Sequence, residues 1–120
     1  MGIVLYRYLF SLKNKNLNFF QGFDINGEEK FWTVTGGNTI CMTLNDIDDD
    51  GFQELIVGTD DYTIRFYKNE NNINEINENT KIVLLQALGN SRFVYCLENG
   101  TMGVYNRTER LWKKKVIIYK

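Results

Sequence analysis

Histidine and proline are both absent from this sequence of 120 residues. Without histidine, the chain lacks the commonest general base of enzymes and the commonest zinc ligand, so neither catalysis nor zinc binding is favoured. The absence of proline is compatible with a chain built from β-strands, because proline removes hydrogen-bond donors from a sheet. The net charge of −1 provides no overall field for nucleic acid or an anionic membrane, and we expect no nucleic-acid partner.

Paired cysteine motifs and long apolar runs are also lacking. Cys41 and Cys96 have no CxxC partner, so we expect two buried, reduced thiols and not a secreted disulfide. Arg7 interrupts the apolar N-terminal stretch, which has no cleavage site and is shorter than the roughly 18 residues of a membrane span. We therefore predict no signal peptide and no direct membrane insertion, and expect a strand or a short helix between Ile3 and Phe10.

Most of the chain after Leu17 reads as strands, because short runs of β-branched and aromatic residues alternate with Gly, Asn and Asp. Three β-hairpins are predicted, with turns at Asn26-Gly27, Asp60-Asp61 and Asn99-Gly100. At Asn26-Gly27, the residue pair predicts a type I′ turn, which needs positive φ at both positions. With 43 % apolar residues, the chain has enough material for the core of one small domain.

The hairpins repeat, and the repeat predicts the fold. Phe66-Tyr67 and Val104-Tyr105 close equivalent strands 38 residues apart, a period typical of propeller blades. We predict an all-β fold of antiparallel β-propeller blades with WD40-like or FG-GAP-like repeats, in which residues 17–120 form about two to three blades and residues 1–16 have an unclear role. Because a closed propeller takes roughly 4 to 8 blades, this propeller is incomplete. We expect either a longer protein or self-association through open sheet edges.

Two polar segments have alternative interpretations. The asparagine-rich tract 69–80 is either an exposed loop or the outermost strand of a blade. The basic run "RTERLWKKK" could contact phosphates, but the favoured interpretation is an exposed edge strand whose Leu111 and Trp112 are buried. Recurrent aromatic residues at strand positions are assigned to packing between blades: Trp32, Phe66, Tyr67, Tyr95 and Tyr105.

The stretch "DIDDDGFQEL" concentrates five carboxylates in ten residues. A DxDxDG spacing turns alternate side chains inward around one hard cation, while glycine takes the left-handed bend. The predicted calcium ligands are the following: Asp46, Asp48, Asp50 and Glu54 through carboxylates, and Phe52 through its backbone carbonyl.

The acidic stretch has three alternative interpretations. An EF-hand is excluded because Val57 stands at the twelfth position, where a bidentate Glu is needed, and because strands flank the loop. A solvated turn without metal stays open, since Asp50-Gly51 is a good turn pair by itself. Carboxylates bunched in one loop do not suit glycoside hydrolysis, which needs two acids facing each other across a cleft.

Three segments in this order resemble the Bardet-Biedl syndrome 2 protein family: "GEEKFWTVTGGN", "NDIDDDGFQELIVGTDDYTIRFYK" and "GNSRFVYCLENGTMGVYNRTERLW". The similarity runs from about Phe20 to Lys114. Asp46, Asp48, Asp50 and Glu54 match acidic positions of a loop in that family, which does not imply that metal is bound there.

The resemblance implies a propeller at the N-terminal side of a non-enzymatic BBSome subunit. That complex carries membrane proteins into and out of cilia, so the implied locations are the cytoplasm and the cilium, basal body or flagellum. The implied partners are other BBSome subunits, especially the Bardet-Biedl syndrome 7 protein. The alternative hypothesis from the residues alone is a calcium-dependent recognition or adhesion module of the propeller type.

Overall fold

The computed structural model describes residues 2–4, 9–11 and 19–116, with side chains described for 21–30 and 33–116. In this part of the chain, every regular element is a β-strand, and the twelve strands form three four-stranded sheets. Each sheet is antiparallel and is built from four consecutive strands. The prediction of an all-β fold of antiparallel blades is confirmed.

The first sheet combines two short strands with a hairpin. The turn of that hairpin includes Asn26-Gly27, as predicted. Two of the strands lie in the predicted segment 1–16, while residues 5–8 lie outside the described residues. The strands follow the chain order: β1 (Gly2–Val4), β2 (Leu9–Ser11), β3 (Phe19–Phe23) and β4 (Glu29–Val34).

The second sheet contains the acidic loop and the asparagine-rich tract. The acidic loop connects its first two strands, and the tract supplies its last strand, so the strand interpretation of that tract is confirmed. The strands are β5 (Thr39–Asn45), β6 (Glu54–Thr59), β7 (Thr63–Lys68) and β8 (Asn71–Asn77).

The third sheet repeats the second in the same strand order. Its third strand begins 38 positions after that of the second sheet, which confirms the predicted repeat. The strands are β9 (Ile82–Gly89), β10 (Arg92–Leu97), β11 (Thr101–Asn106) and β12 (Glu109–Lys115).

The first strands of the three sheets lie side by side. β5 contacts β1 on one side and β9 on the other, whereas β8 and β12 are edge strands at the far side of their sheets. This arrangement places the sheets face to face as neighbouring propeller blades. No helix in the described part of the chain is long and apolar enough to cross a membrane.

The turn of the first hairpin differs from the predicted type I′. Gly27 has φ of +80°, but Asn26 is not among the residues with positive φ. Instead, the Gly27 N–H donates to the Asp24 carbonyl at 3.0 Å, and the Asp24 N–H donates to the Glu28 carbonyl at 3.0 Å. This is the longer hairpin loop in which a turn ends on one left-handed glycine. The hairpin was predicted correctly and the turn type was wrong, because an Asn-Gly pair fits both loops.

The main core lies between the second and third sheets. Phe66 of β7 meets Phe93 of β10 edge to face, with ring centroids 5.8 Å apart. The Phe93 ring stacks on Tyr105 at 5.5 Å, and Tyr105 contacts Tyr95 at 4.8 Å. Phe66, Tyr95 and Tyr105 belong to one buried cluster with residues of both sheets, so their predicted role in packing between blades is confirmed. Tyr67 is buried but is not part of this cluster, and the side chain of Trp32 lies outside the described residues.

Close backbone contact extends this seam to the first strands of both sheets. A Cβ atom at Gly58 would lie 2.7 Å from Ile82 Cγ2 and 2.8 Å from Cys41 Sγ, so only glycine fits there. The Cys41 thiol is buried, and burial raises its pKa to about 12. Cys41 is thus an inert core thiol, as predicted, while Cys96 is free and only half-buried.

A polar cluster seals one end of the same seam. Glu78, which follows β8, accepts hydrogen bonds from the Tyr105 hydroxyl and from Arg110 Nη2, the latter at 2.9 Å. The Glu78 side chain is only 4 % exposed. A nearly buried carboxylate needs such a partner, so the ion pair joins the end of the second sheet to β11 and β12.

The last strand departs from one prediction. β12 is an exposed edge strand, as expected, but Leu111 and Trp112 are 43 % and 44 % exposed and not buried. The described residues place no further sheet against this side of the third blade, so these side chains have nothing there to pack against.

Two leucines of β9 provide a matched test of the seam. Leu85 is 6 % exposed and belongs to the core, whereas Leu88 is 53 % exposed. We expect Leu85→Ala to lower the free energy of unfolding by about 2 to 5 kcal/mol through lost burial and the cavity left behind. Leu88→Ala should cost less than about 1 kcal/mol. Urea denaturation measures both, and equal losses would show that the seam is not the main core.

Candidate metal centre

Four carboxylates converge in the loop between β5 and β6. One oxygen from each side chain lies within 4.8 Å of the corresponding oxygens of the other three. Asp49 does not belong to the cluster, because it takes a left-handed conformation with φ of 60°. The structure therefore brings together all four predicted carboxylate ligands: Asp46, Asp48, Asp50 and Glu54.

Backbone N–H groups hold the loop in shape. Asp46 accepts hydrogen bonds from Asp50 N at 3.1 Å and Gly51 N at 2.9 Å, one on each carboxylate oxygen. Asp50 Oδ1 accepts a hydrogen bond from Phe52 N at 2.9 Å, and Gly51 has φ of +87°. The loop closes on its own carboxylates, as expected for a turn rich in Asp and Gly. A role for the Phe52 carbonyl as a ligand stays a prediction.

The third blade fixes the start of the loop. The Ser91 hydroxyl donates to the Asp46 carbonyl at 2.7 Å. The amide Nδ2 of Asn45 donates to the Arg92 carbonyl at 2.6 Å. Both bonds cross from the second sheet and its loop to the third sheet. The position of the acidic cluster therefore depends on the packing of two blades.

Glu54 is the buried member of the cluster. Its side chain begins on β6, the residue is 1 % exposed, and its Oε1 accepts a long hydrogen bond of 3.4 Å from Asp48 N. Its other oxygen, Oε2, is buried and has no hydrogen-bond partner among the described residues. Burial, followed by the neighbouring Asp48 carboxylate, raises the pKa of Glu54 to about 8. The pKa of Asp48 is lowered by the adjacent Glu54 carboxyl, which favours its own protonated form, and by the hydrogen bond from Lys68.

Lys68, the last residue of β7, also contacts the acidic cluster, and it was not predicted from the sequence. Its Nζ donates to Asp48 Oδ2 at 3.0 Å and to Asp50 Oδ2 at 2.6 Å. These two contacts raise the pKa of Lys68. The hairpin register contained the signal: Leu55 pairs with Tyr67, so Glu54 and Lys68 are the next residues outward.

The donor set fits a calcium ion. Calcium prefers oxygen ligands and carries them at about 2.3 to 2.6 Å, and the four side chains offer only carboxylate oxygens. Glu54 Oε2 is a buried polar atom with no hydrogen-bond partner in the described part of the chain, which is costly unless a cation or a proton satisfies it. Asp46, Asp48, Asp50 and Glu54 would hold the ion, which would neutralise mutually repelling charges and join β5 to β6.

The raised pKa of Glu54 predicts a pH dependence of stability in chelator-containing buffer. The folded state favours the protonated carboxyl, so this contribution is complete below the ordinary pKa of 4.5 and is lost as pH rises towards 8. Glu54→Gln is neutral at every pH. Relative to wild type, we expect the variant to gain about 1 to 3 kcal/mol between pH 4.5 and pH 8.

Urea denaturation at pH 5 and pH 8 measures that difference, and the exposed Glu109 supplies the control. Glu109→Gln should change the free energy of unfolding by no more than about 0.5 kcal/mol. Parallel pH trends in wild type and Glu54→Gln would contradict the buried, proton-binding role of Glu54.

Comparison with known proteins identifies the relatives of this chain. The model of the family described as "Ciliary BBSome complex subunit 2, middle region" matches residues 41–117. BBSome complex member BBS2 of Danio rerio is 46 % identical over 95 residues, which is 79 % of this chain and 13 % of that protein. The human BBS2 is 44 % identical over the same shares, and bbs-2 of Caenorhabditis elegans is 43 % identical over 94 residues. The chain thus spans about an eighth of the length of the curated relatives it matches.

Solved structures support the fold. The structure of BBS1N in complex with ARL6DN matches with a TM-score of 0.74 at 11 % identity, over 87 % of this chain and 32 % of that one. A KlHsv2 variant with loop 6CD replaced by a Gly-Ser linker matches with a TM-score of 0.78 at 13 % identity, over 99 % and 42 %. In both, three blades of this chain cover well under half of the larger protein. From the family match and the level of identity, the chain belongs to the BBSome complex subunit 2 family.

Proposed function

We propose that this chain is a propeller segment of a non-enzymatic BBSome scaffold subunit that acts in ciliary membrane-protein trafficking and cilium assembly. The observation that carries the proposal is the family match over residues 41–117, which covers the second and third blades. The proposed locations are the cytoplasm and the cilium, basal body or flagellum. Function then depends on the protein surfaces that the blades present.

One surface of the third blade is suited to such contacts. Paired strand positions place six apolar residues on the face that points away from the second blade. Leu84 and Trp112 on this face are each 44 % exposed. The face is apolar and only partly covered, which is typical of a surface that packs on another protein element. We call it the open face, formed by Leu84, Val94, Cys96, Met102, Val104 and Trp112.

The proposed partners are other BBSome subunits, especially the Bardet-Biedl syndrome 7 protein. The match to proteins named as BBSome complex members supports this assignment. A full-length tagged chain expressed in ciliated cells should recover these subunits at native salt. Recovery of none of them, with an unrelated three-blade fragment as the baseline, would overturn the proposed function.

Two exposed aromatic residues distinguish the two candidate contact surfaces, the open face and the hairpin turn between β6 and β7. Trp112 lies on the open face, and Tyr62, which is 45 % exposed, lies at the turn between β6 and β7. We expect Trp112→Ala to reduce recovery of the partners at least threefold, because interface aromatics carry a large share of binding energy. Tyr62→Ala serves as the matched control and should leave recovery unchanged. The opposite pattern would move the contact to the hairpin at Asp60-Asp61.

Self-association is the other use proposed for the uncovered surfaces. A blade sheet leaves an unpaired edge at β8 and at β12, and such edges pair with other chains when nothing covers them. We expect the purified chain to exceed its monomer mass of 14.1 kDa in light scattering. A stable monomer at high micromolar concentration would contradict this pairing.

A further inference from the structure

The acidic cluster includes a residue, Glu54, with a buried oxygen in a position that favours a bound cation. Glu54 is 1 % exposed, and its Oε2 lacks a hydrogen-bond partner within the described residues. One oxygen of this carboxyl group belongs to the set of four that lie within 4.8 Å of one another. A buried carboxylate oxygen is rarely left unpaired, because desolvation without compensation is costly. The unpaired oxygen, and not only the number of acidic residues, therefore indicates a cation site.

The spacing of the oxygens indicates the size of that cation. An ion that holds ligands at about 2.4 Å joins oxygens up to about 4.8 Å apart, which is the calcium range. The ligand distance of magnesium, about 2.1 Å, limits that span to roughly 4.2 Å. The four oxygens all lie within 4.8 Å of one another, a distance that the ligands of a calcium ion can span without contraction of the loop.

Lys68 already supplies a positive charge to this cluster. Its ammonium bridges Asp48 and Asp50, at 3.0 and 2.6 Å. The side chain reaches in from the neighbouring strand β7 and is 46 % exposed. Because the Lys68 side chain is long and half exposed, rotation about its own bonds can carry the ammonium out of the site. The backbone need not move.

We propose that the loop is a calcium site with a tethered competitor: Ca²⁺ binds Asp46, Asp48, Asp50 and Glu54, and it displaces the ammonium of Lys68 from Asp48 and Asp50. The lysine keeps the carboxylates together when calcium is absent. It also weakens calcium binding, because two charge-assisted hydrogen bonds must break first. The inference is independent of the proposed function and would hold in the isolated chain.

Titration of the purified 120-residue chain with CaCl₂ by calorimetry tests the exchange. Wild type should bind one Ca²⁺ per chain and bind Mg²⁺ more weakly. Lys68→Met should bind Ca²⁺ about five- to tenfold more tightly, since the competing ion pairs are gone. Lys68→Met should also melt at a lower temperature than wild type in chelator and gain more from added Ca²⁺.

Matched variants distinguish calcium binding at the site from nonspecific electrostatic attraction of calcium to the protein. Asp48→Asn removes a ligand and should abolish binding, whereas Asp49→Asn removes an equal charge outside the cluster and should bind nearly as wild type. Lys81→Met, at an exposed lysine away from the loop, should not tighten binding. Equal losses in Asp48→Asn and Asp49→Asn would overturn the proposed site.

A direct readout of the lysine completes the test. In a chain whose lysines carry ¹³C-methyl groups, the Lys68 resonance is identified by its absence in Lys68→Met. It should shift on addition of Ca²⁺ while the Lys81 resonance stays in place. An unmoved Lys68 resonance, or equal calcium affinity in Lys68→Met and wild type, would overturn the exchange. Absence of binding by both proteins at 10 mM Ca²⁺ would overturn the calcium site itself.

Discussion

A four-stranded blade cannot bury both of its faces alone, and this constraint organises the molecule. The second blade buries one of its faces by packing against the third. Phe66 contacts Phe93, and the absence of a side chain at Gly58 lets Ile82 and Cys41 approach closely. At one end, the nearly buried Glu78 carboxylate ties Arg110 and Tyr105 across the same seam. The stability of each sheet therefore depends on its neighbour.

The acidic loop depends on that seam as well. Asp46 is held by Ser91 of the next blade, and Glu54 is buried at the start of β6. If the blades separated, the loop would lose the hydrogen bond from Ser91 that fixes its first residue. The candidate calcium site is thus a property of two packed blades and not of a short acidic motif, which explains why its proposed task is to fix shape.

The far side of the third blade, in contrast, is exposed. The open face and the edge strand β12 expose apolar side chains, and lysines 113–115 follow each other along the edge. Charged residues on an edge limit unwanted strand pairing, whereas exposed Leu84 and Trp112 favour contact with another protein surface. For a chain that spans 13 % of its relatives, these features are compatible with a segment that is covered in a larger assembly.

Several features followed from the sequence because local rules govern them. Alternating apolar residues and turn pairs gave the strands, the three hairpins and the 38-residue repeat. The DxDxDG spacing, together with Glu54, gave the four converging carboxylates. The turn type at Asn26-Gly27 was wrong, because the same dipeptide fits two hairpin loops that differ in φ at one residue. The burial of Trp112 was wrong, because burial depends on what packs against a strand.

The sequence by itself determined the blades, the family resemblance and the identity of the loop carboxylates. Only the tertiary structure decided that Glu54 is buried with an unpaired oxygen, and that Lys68 bridges Asp48 and Asp50. Lys68 lies 20 residues from Asp48 in the chain, so no local pattern couples them. Strand pairing and blade packing create that contact, because they alone fix which distant side chains share one small volume.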